Sequence, residues 1–318
     1  RPPLDDDAQR TAGQAAAAAA VEETFGINIQ DFALGVDSVG GAFKTAGRQK
    51  ITPPDPEIPQ DLEAAAFFDI DNTLIQGSSL ILLAQGLFKK RFITLRELAP
   101  ALWKQIRFRV SGSENADDIA EGREQALAVV KGKRVDELKE ACQEIVDKQM
   151  LNKSYSDVIE LASMHIAAGQ QVWLVSATPV QIGQALAETL GFTGALGTVA
   201  EEEDGKFTGR LVGDILHGPG KKHAVAALAA LQQLDLKQCT AYSDSINDLP
   251  MLEMVGSPVA VNPDRALRRH AKAQGWAVRD YRSVRRAVRL SALPVLGAAG
   301  AFSLWRLWNK RQERTHHA

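Results

Sequence analysis

Four short apolar runs along the chain each end at a polar residue: 64–68 (AAAFF) at Asp69, 171–175 (QVWLV) at Ser176, 240–243 (TAYS) at Asp244 and 258–261 (PVAV) at Asn262. Runs without hydrophobic alternation fit strands buried on both faces, as in a parallel sheet. Helical periodicity fills the gaps. Residues 154–168 place Val158, Ile159, Leu161, Ala162 and Ile166 at helical spacing, with Gly169 just past the end. Thr178-Pro179 predicts an N-cap and a first-turn proline for a helix through Leu190, closed by Gly191. A short helix over 246–255 stops at Gly256. Strand and helix alternate, so the predicted class is α/β with a doubly wound, mostly parallel sheet.

Two stretches depart from that alternation. Residues 78–150 carry helical patterns over 80–88, 95–109, 117–130 and 135–150 and no strand signal. They predict a helical cap domain inserted after the first strand, which leaves 61–77 and 151–281 as the core. Residues 196–213 contain Asp204-Gly205 between two extended arms, the signature of a β-hairpin.

Composition sets the outer bounds. The 318 residues are 45% hydrophobic and 24% charged, ordinary values for a chain that buries a large core. Cys142 and Cys239 are the only cysteines and lie far apart, which excludes a disulfide scaffold or a cysteine-rich zinc site; both are expected to be buried. The sequence opens at Arg1 rather than Met, so its natural start is expected upstream. Residues 1–60, with an alanine run over 15–20 and Pro53, Pro54, Pro56 and Pro59, read as a flexible extension with one short helix.

The net charge of −2 hides an asymmetry, because 265–318 holds 13 Lys and Arg against 2 Asp and Glu. Within that tail, 290–305 is free of charge and is flanked by Arg282, Arg285, Arg286 and Arg289 and by Lys310, Arg311 and Arg314. Trp305 and Trp308 would suit a lipid interface. The tail, 282–318, is therefore read as a membrane attachment, spanning or interfacial, weighed against a helix packed on the core. Its basic residues flank an apolar run instead of lining a groove, so no nucleic-acid partner is expected. The expected location is the cytoplasm, at the cytoplasmic membrane if the tail inserts.

The chemistry collects at the strand ends, where ligands bind in open α/β sheets. Asp69 and Asp71 stand two residues apart at one tip, and Ser176 ends the next strand. Lys221 precedes a helix, and Ser243-Asp244-Ser245-Ile246-Asn247-Asp248 ends a third strand. A lone D-x-D pair is weak, but the ordered set is specific. At DIDNTL, SATP, Lys221 and SDSINDLP, over about residues 64–281, the chain resembles the haloacid dehalogenase superfamily, closest to its subfamily with phosphoserine phosphatases. That resemblance implies a Rossmann-like core with a cap at 78–150. The 23-residue separation of Lys221 from Asp244 matches that family, which leaves Lys222 outside the site and His217 and His223 as surface residues.

By the same resemblance Asp69 is the nucleophile, Asp71 the general acid and base, and Lys221 the charge-neutralising cation. Mg²⁺ would be held by Asp69, the main-chain carbonyl of Asp71, Asp244 and Asp248, the last directly or through water. Ser176, the backbone at Ala177 and Asn247 would bind phosphate oxygens. A phosphate dianion repels a carboxylate, so such a site needs these cations. Dehalogenases lack the second aspartate and transport ATPases carry a different motif, whereas phosphomutases keep both aspartates. The expected activity is therefore a Mg²⁺-dependent phosphomonoesterase acting on a small phosphorylated metabolite. The alternatives are phosphoserine phosphatase proper, a membrane-tethered phosphatase of a phospholipid precursor, and a non-catalytic membrane-tethered binding module. Ser78 stands where phosphoserine phosphatases place a glutamate for the substrate ammonium, and Arg123 is out of register for the substrate carboxylate.

Overall fold

The computed structural model describes residues 6–94 and 127–282. Strand β1 (Ala65–Phe68), buried at every position, takes the centre of a seven-stranded sheet. The others are β2 (Gln171–Pro179), β3 (Gly194–Glu203), β4 (Lys206–Val212), β5 (Thr240–Ser243), β6 (Ser257–Val261) and β7 (Ala277–Arg279), in the spatial order β4-β3-β2-β1-β5-β6-β7. β1 pairs parallel with β2 (Phe68 opposite Leu174) and with β5 (Phe68 opposite Tyr242). The β2–β3 and β5–β6 pairs are also parallel. β3 and β4 form the hairpin anticipated at Asp204-Gly205, whose φ values of 50° and 72° give the left-handed pair that a two-residue turn requires. The chain leaves β1 toward β2 on one side and returns to β5 on the other. That reversal opens a crevice at the carboxyl end of β1.

Successive residues of a strand face opposite sides. Phe67 joins Trp173, Val175 and Ala241 in the larger buried cluster, while Phe68 stacks on Tyr242 with ring centroids 4.2 Å apart and packs near Phe192. The helices of the described residues include α1 (Asp6–Phe25), α2 (Ile29–Ala46), α3 (Ser79–Lys89), α4 (Val135–Ile145), α5 (Ser156–Ala167), α6 (Val180–Leu190), α7 (Pro219–Gln232), α8 (Leu249–Leu252) and α9 (Arg265–Gln274). Helix α7 is buried almost all round, as expected of a helix covered on both sides.

Its outer cover is α2, which corrects the expectation of a flexible extension over 1–60. Asn28 caps α2 by accepting the Asp31 N–H at 2.8 Å, and Gly47 closes it in the left-handed region. Val39 and Ala42 enter the main core, with Phe32, Val36 and Phe43 packed against it. The i, i+4, i+7, i+11 spacing of Phe32, Val36, Val39 and Phe43 carried that signal in the sequence. Residues 47–64, where the prolines crowd, form no helix or strand.

Other boundaries shift in instructive ways. β2 continues through Pro179, opposite Thr198, with a register irregularity after Val175. The helix that follows therefore starts at Val180, and Thr178 is not its cap. The pattern over 135–150 is not one α-helix: α4 ends at Ile145, followed by a π turn (Val146–Met150) and a 3₁₀ turn (Leu151–Lys153). The segment leaving β1 and the segment returning to α5 run side by side, through Gln76 N–H to Lys153 O and Tyr155 N–H to Leu74 O, both 2.9 Å. The helix expected at 95–109 and most of that at 117–130, with Arg123, lie outside the described residues, as does the apolar segment 290–308. Among the described residues no helix is long and apolar enough to cross a membrane. The chain divides after Val278, and of the second unit only 279–282 is described.

Trp173 is 1% exposed and its indole N–H donates to Gln171 at 2.9 Å. Trp173→Ala should cost about 3–5 kcal/mol of unfolding free energy through lost burial and the cavity left behind, measured as a lowered urea midpoint at unchanged slope.

Candidate active site

The DIDNTL segment turns sharply at the end of β1. Its entry is pinned by the Asp69 N–H to Tyr242 O bond at 2.9 Å, and its return by Leu74 and Ile75 N–H groups donating to Ile70 O. Asn72 takes φ 57°, a left-handed conformation that asparagine tolerates better than most residues. Its carbonyl accepts from the Asn262 amide at 3.0 Å, which ties this turn to the end of β6.

Inside the turn lies the strongest electrostatic feature among the described residues. Lys221, in the first turn of α7, donates from Nζ to Asp69 Oδ1 at 2.5 Å and to Asp248 Oδ2 at 2.7 Å. All three side chains are buried, with residue exposures of 5% for Asp69 and 3% for Lys221 and Asp248. Ser243, at the end of β5, also donates to Asp248 Oδ2, at 2.7 Å. Burial pushes the Asp69 carboxyl up, Lys221 pulls it back, and like charge on Asp248 and Asp244 adds to the rise, so its pKa moves from 3.8 to about 8. Burial would lower the Lys221 pKa, but the carboxylates of Asp69 and Asp248 outweigh it and the net shift is upward. The ammonium stays charged.

Asp71 is fixed by a different element. Its Oδ1 accepts the Ser79 N–H at 2.8 Å and the Ser79 hydroxyl, so the first residue of α3 holds this carboxylate. On the other side of β1, the register irregularity of β2 brings the Ser176 and Thr178 hydroxyls to 2.9 Å, and the Thr178 N–H donates back to Ser176 Oγ at 3.3 Å. Ala177 is exposed between them and its carbonyl accepts from the Thr198 hydroxyl at 2.7 Å. Asn247 is exposed, in a 3₁₀ turn capped by Ser245.

The structure thus gathers Asp69, Lys221 and Asp248 in direct contact. Asp244 is close enough to act on Asp69, Ser176 and Ala177 lie on the adjacent strand, and Asp71 is turned to Ser79. Among the described residues no three His, Cys, Asp or Glu side chains form a metal-holding cluster. His223 departs from its reading as a surface residue: it is buried, with Nδ1 3.3 Å from Asp214 Oδ2, because α2 covers α7. His217 is exposed. Ser79, Thr198 and Ser243 were not singled out in the sequence. A lone hydroxyl has no pattern, although Ser243 directly precedes the SDSIND aspartate.

The family model for haloacid dehalogenase-like hydrolases matches residues 66–253. Phosphoserine phosphatase SerB1 of Mycobacterium tuberculosis is 51% identical over 82% of this chain and 85% of its own length. Histidinol-phosphatase of Neisseria meningitidis is 31% identical over 68% of this chain and 98% of its own. A solved structure from Bordetella pertussis, of a protein with unknown function, superposes with a TM-score of 0.61 at 29% identity, covering 69% of this chain and 98% of that one.

The Asp69 shift has a stability consequence. Its folded pKa is about 8 against an ordinary 3.8, so between these values the folded chain holds a proton that the unfolded chain has released. This contribution to stability is neutral below about pH 4 and declines as pH rises to about 8. Asp69→Asn should remove it: in chelator, the melting temperature of the variant relative to wild type should climb across that window and level off above it.

Proposed function

We propose that this chain, which belongs to the haloacid dehalogenase-like hydrolase family and is a phosphatase of it, hydrolyses small phosphomonoesters through a phosphorylated Asp69. The observation that carries this reading is the buried Lys221 ammonium shared by Asp69 and Asp248 at the carboxyl end of β1. A carboxylate in that setting is aligned and partly neutralised, which is what attack on a phosphate dianion requires.

Lys221 occupies Asp69 Oδ1, so Oδ2 is the attacking atom. It forms the new bond to phosphorus while the bond to the leaving alcohol oxygen breaks, and Asp71 delivers a proton to that oxygen. Water then gives a proton to Asp71 and attacks phosphorus. The Asp69–phosphorus bond breaks and inorganic phosphate leaves. Ser176, the backbone N–H groups of Ala177 and the start of α6, and Asn247 bind the phosphoryl oxygens.

The donor set suits Mg²⁺. Burial and the like charges of Asp248 and Asp244 push the Asp69 carboxyl up to about 8, so the site lacks positive charge that one lysine does not supply. Asp69, Asp244 and the Asp71 carbonyl would hold the ion, and Asp248, fixed by Lys221 and Ser243, would orient its water shell. Bound there, Mg²⁺ supplies charge screening for the substrate dianion.

Phosphoserine itself is a second reading, favoured by the name of the mycobacterial relative. Ser78 weighs against it: at the start of α3 it offers no charge to a substrate ammonium. Losing one charge-assisted hydrogen bond is worth about 1.5–3 kcal/mol, tenfold or more in specificity.

Asp69→Asn should lower turnover of a phosphomonoester by at least about 10³-fold with the fold intact by circular dichroism; a fully active variant would overturn the mechanism. Asp71→Asn should cost more with alkyl phosphates than with p-nitrophenyl phosphate, whose leaving group needs little protonation. A panel that includes phosphoserine and histidinol phosphate, assayed with and without Mg²⁺, should show Mg²⁺-dependent hydrolysis with phosphoserine no better than its competitors. A hundredfold preference for phosphoserine would show that a charge other than the missing one at Ser78 receives the ammonium.

A further inference from the structure

The helix that carries Lys221 is laid on α2. A methyl group at Gly35 would meet the His223 carbonyl oxygen at 2.2 Å and the Ala224 nitrogen at 3.2 Å, so at this point the two helices touch main chain to main chain. One turn further, buried Ser38 accepts the Asp214 N–H at 2.9 Å, and Asp214 opens the loop that leads into α7. Lys222 donates to Gly26 O at 3.0 Å, at the corner between α1 and α2. The His223 ring lies 3.3 Å from Asp214 and 3.7 Å from Asp31 of α2. Every residue from 220 to 224 except Lys222 is buried. Lys221 therefore points into the crevice while its sequence neighbours are fastened to a segment almost 200 positions upstream.

We propose that α2 is a positioning element of the active site, with Gly35 and Ser38 as the positioning residues that set where the Lys221 ammonium sits between Asp69 and Asp248. This rests on the role given to Lys221 above. Two charge-assisted bonds of 2.5 and 2.7 Å leave no slack. The ammonium is buried, so no water replaces a lost partner. Parting α7 from α2 enough to admit a methyl group at Gly35 displaces the Lys221 ammonium against Asp69 and Asp248 at once. A shift of about 1 Å in a catalytic group is enough to cost about 10²-fold in rate. Because Lys221 acts on charge that builds up as the new bond forms, the loss falls on kcat more than on KM.

The test compares three variants of the full chain with wild type, using whichever phosphomonoester wild type turns over best. Gly35→Ala and Ser38→Ala alter the bed of α7. Gly40→Ala, on the same helix, is the control, because a methyl group there meets nothing within 4 Å. In folded Gly35→Ala and Ser38→Ala, kcat should fall by about ten- to a hundredfold. The affinity for orthovanadate, which mimics five-coordinate phosphorus, should fall in parallel, with KM and inhibition by inorganic phosphate changed much less. Gly40→Ala should match wild type. A helix that merely stabilised the fold would lower the melting temperature and leave kcat per folded molecule and vanadate affinity unchanged, and that result overturns the proposal. If Gly35→Ala fails to fold, Ser38→Ala decides by the same readings. A wild-type protein inert toward every phosphomonoester, with Mg²⁺ present, overturns the phosphatase reading and this one together; an active wild type with unaffected variants overturns only this one.

Discussion

An ammonium buried between two carboxylates is the constraint around which the molecule is organised. Such an arrangement is costly to assemble, because each ion loses its water and regains only the partners that the protein fixes in place. Here the partners come from separate parts of the chain: Asp69 from the end of β1, Lys221 from the first turn of α7, Asp248 from the turn after β5. The reversal of strand order at β1 brings those three ends to one side of the sheet. Each is then locked by a bond that adds no chemistry of its own. Tyr242 O holds the Asp69 backbone, Ser243 holds the Asp248 carboxylate, and α2 backs α7. Removing Lys221 would leave two buried carboxylates without the ammonium that they share.

The same constraint explains which parts of the structure could be read from the amino acids. Strands β1, β2, β5 and β6 were legible as bare runs of apolar residues, and the boundaries of 240–243 matched β5 residue for residue, whereas β7, three residues long, was not anticipated. Asp69, Ser176 and Asp244 stand out in the sequence because they follow those runs, whereas Lys221 ends none and was singled out only through the family resemblance. Helix α2 was not, although Phe32, Val36, Val39 and Phe43 repeat at helical spacing. Gly35, Gly40 and Gly41 dilute its helix propensity, and those glycines are also what a close helix–helix contact requires at Gly35. Read alone they look like a breaker; read with His223 they look like a contact surface. That partner is a tertiary fact absent from any local window. The wrong reading of His223 followed directly, since a histidine on a helix is a surface residue only if nothing covers that face.

Conserving the reaction while changing the substrate is easier in this architecture than the reverse. The residues around Asp69 sit on strand ends and on the buried part of α7. Ser78 sits at the rim, half exposed, at the start of α3. Ser78 makes no bond to the buried charges of Asp69, Lys221 and Asp248. The family match, residues 66–253, spans the charged site.

Asp71 stands on the line between these two regions. Its backbone belongs to the rigid turn after β1, but its carboxylate is held by the N–H and hydroxyl of Ser79, the first residue of α3. The segments leading out to α3 and back from Lys153 are themselves paired through Gln76 and Tyr155. Any rearrangement of α3 relative to the sheet therefore moves the partner of the Asp71 carboxylate, while Asp69, Lys221 and Asp248 are bonded to one another and not to α3. Asp69 and Asp71 lie two residues apart in the chain, yet they are anchored differently: one to the sheet through Tyr242, the other to the first residue of α3.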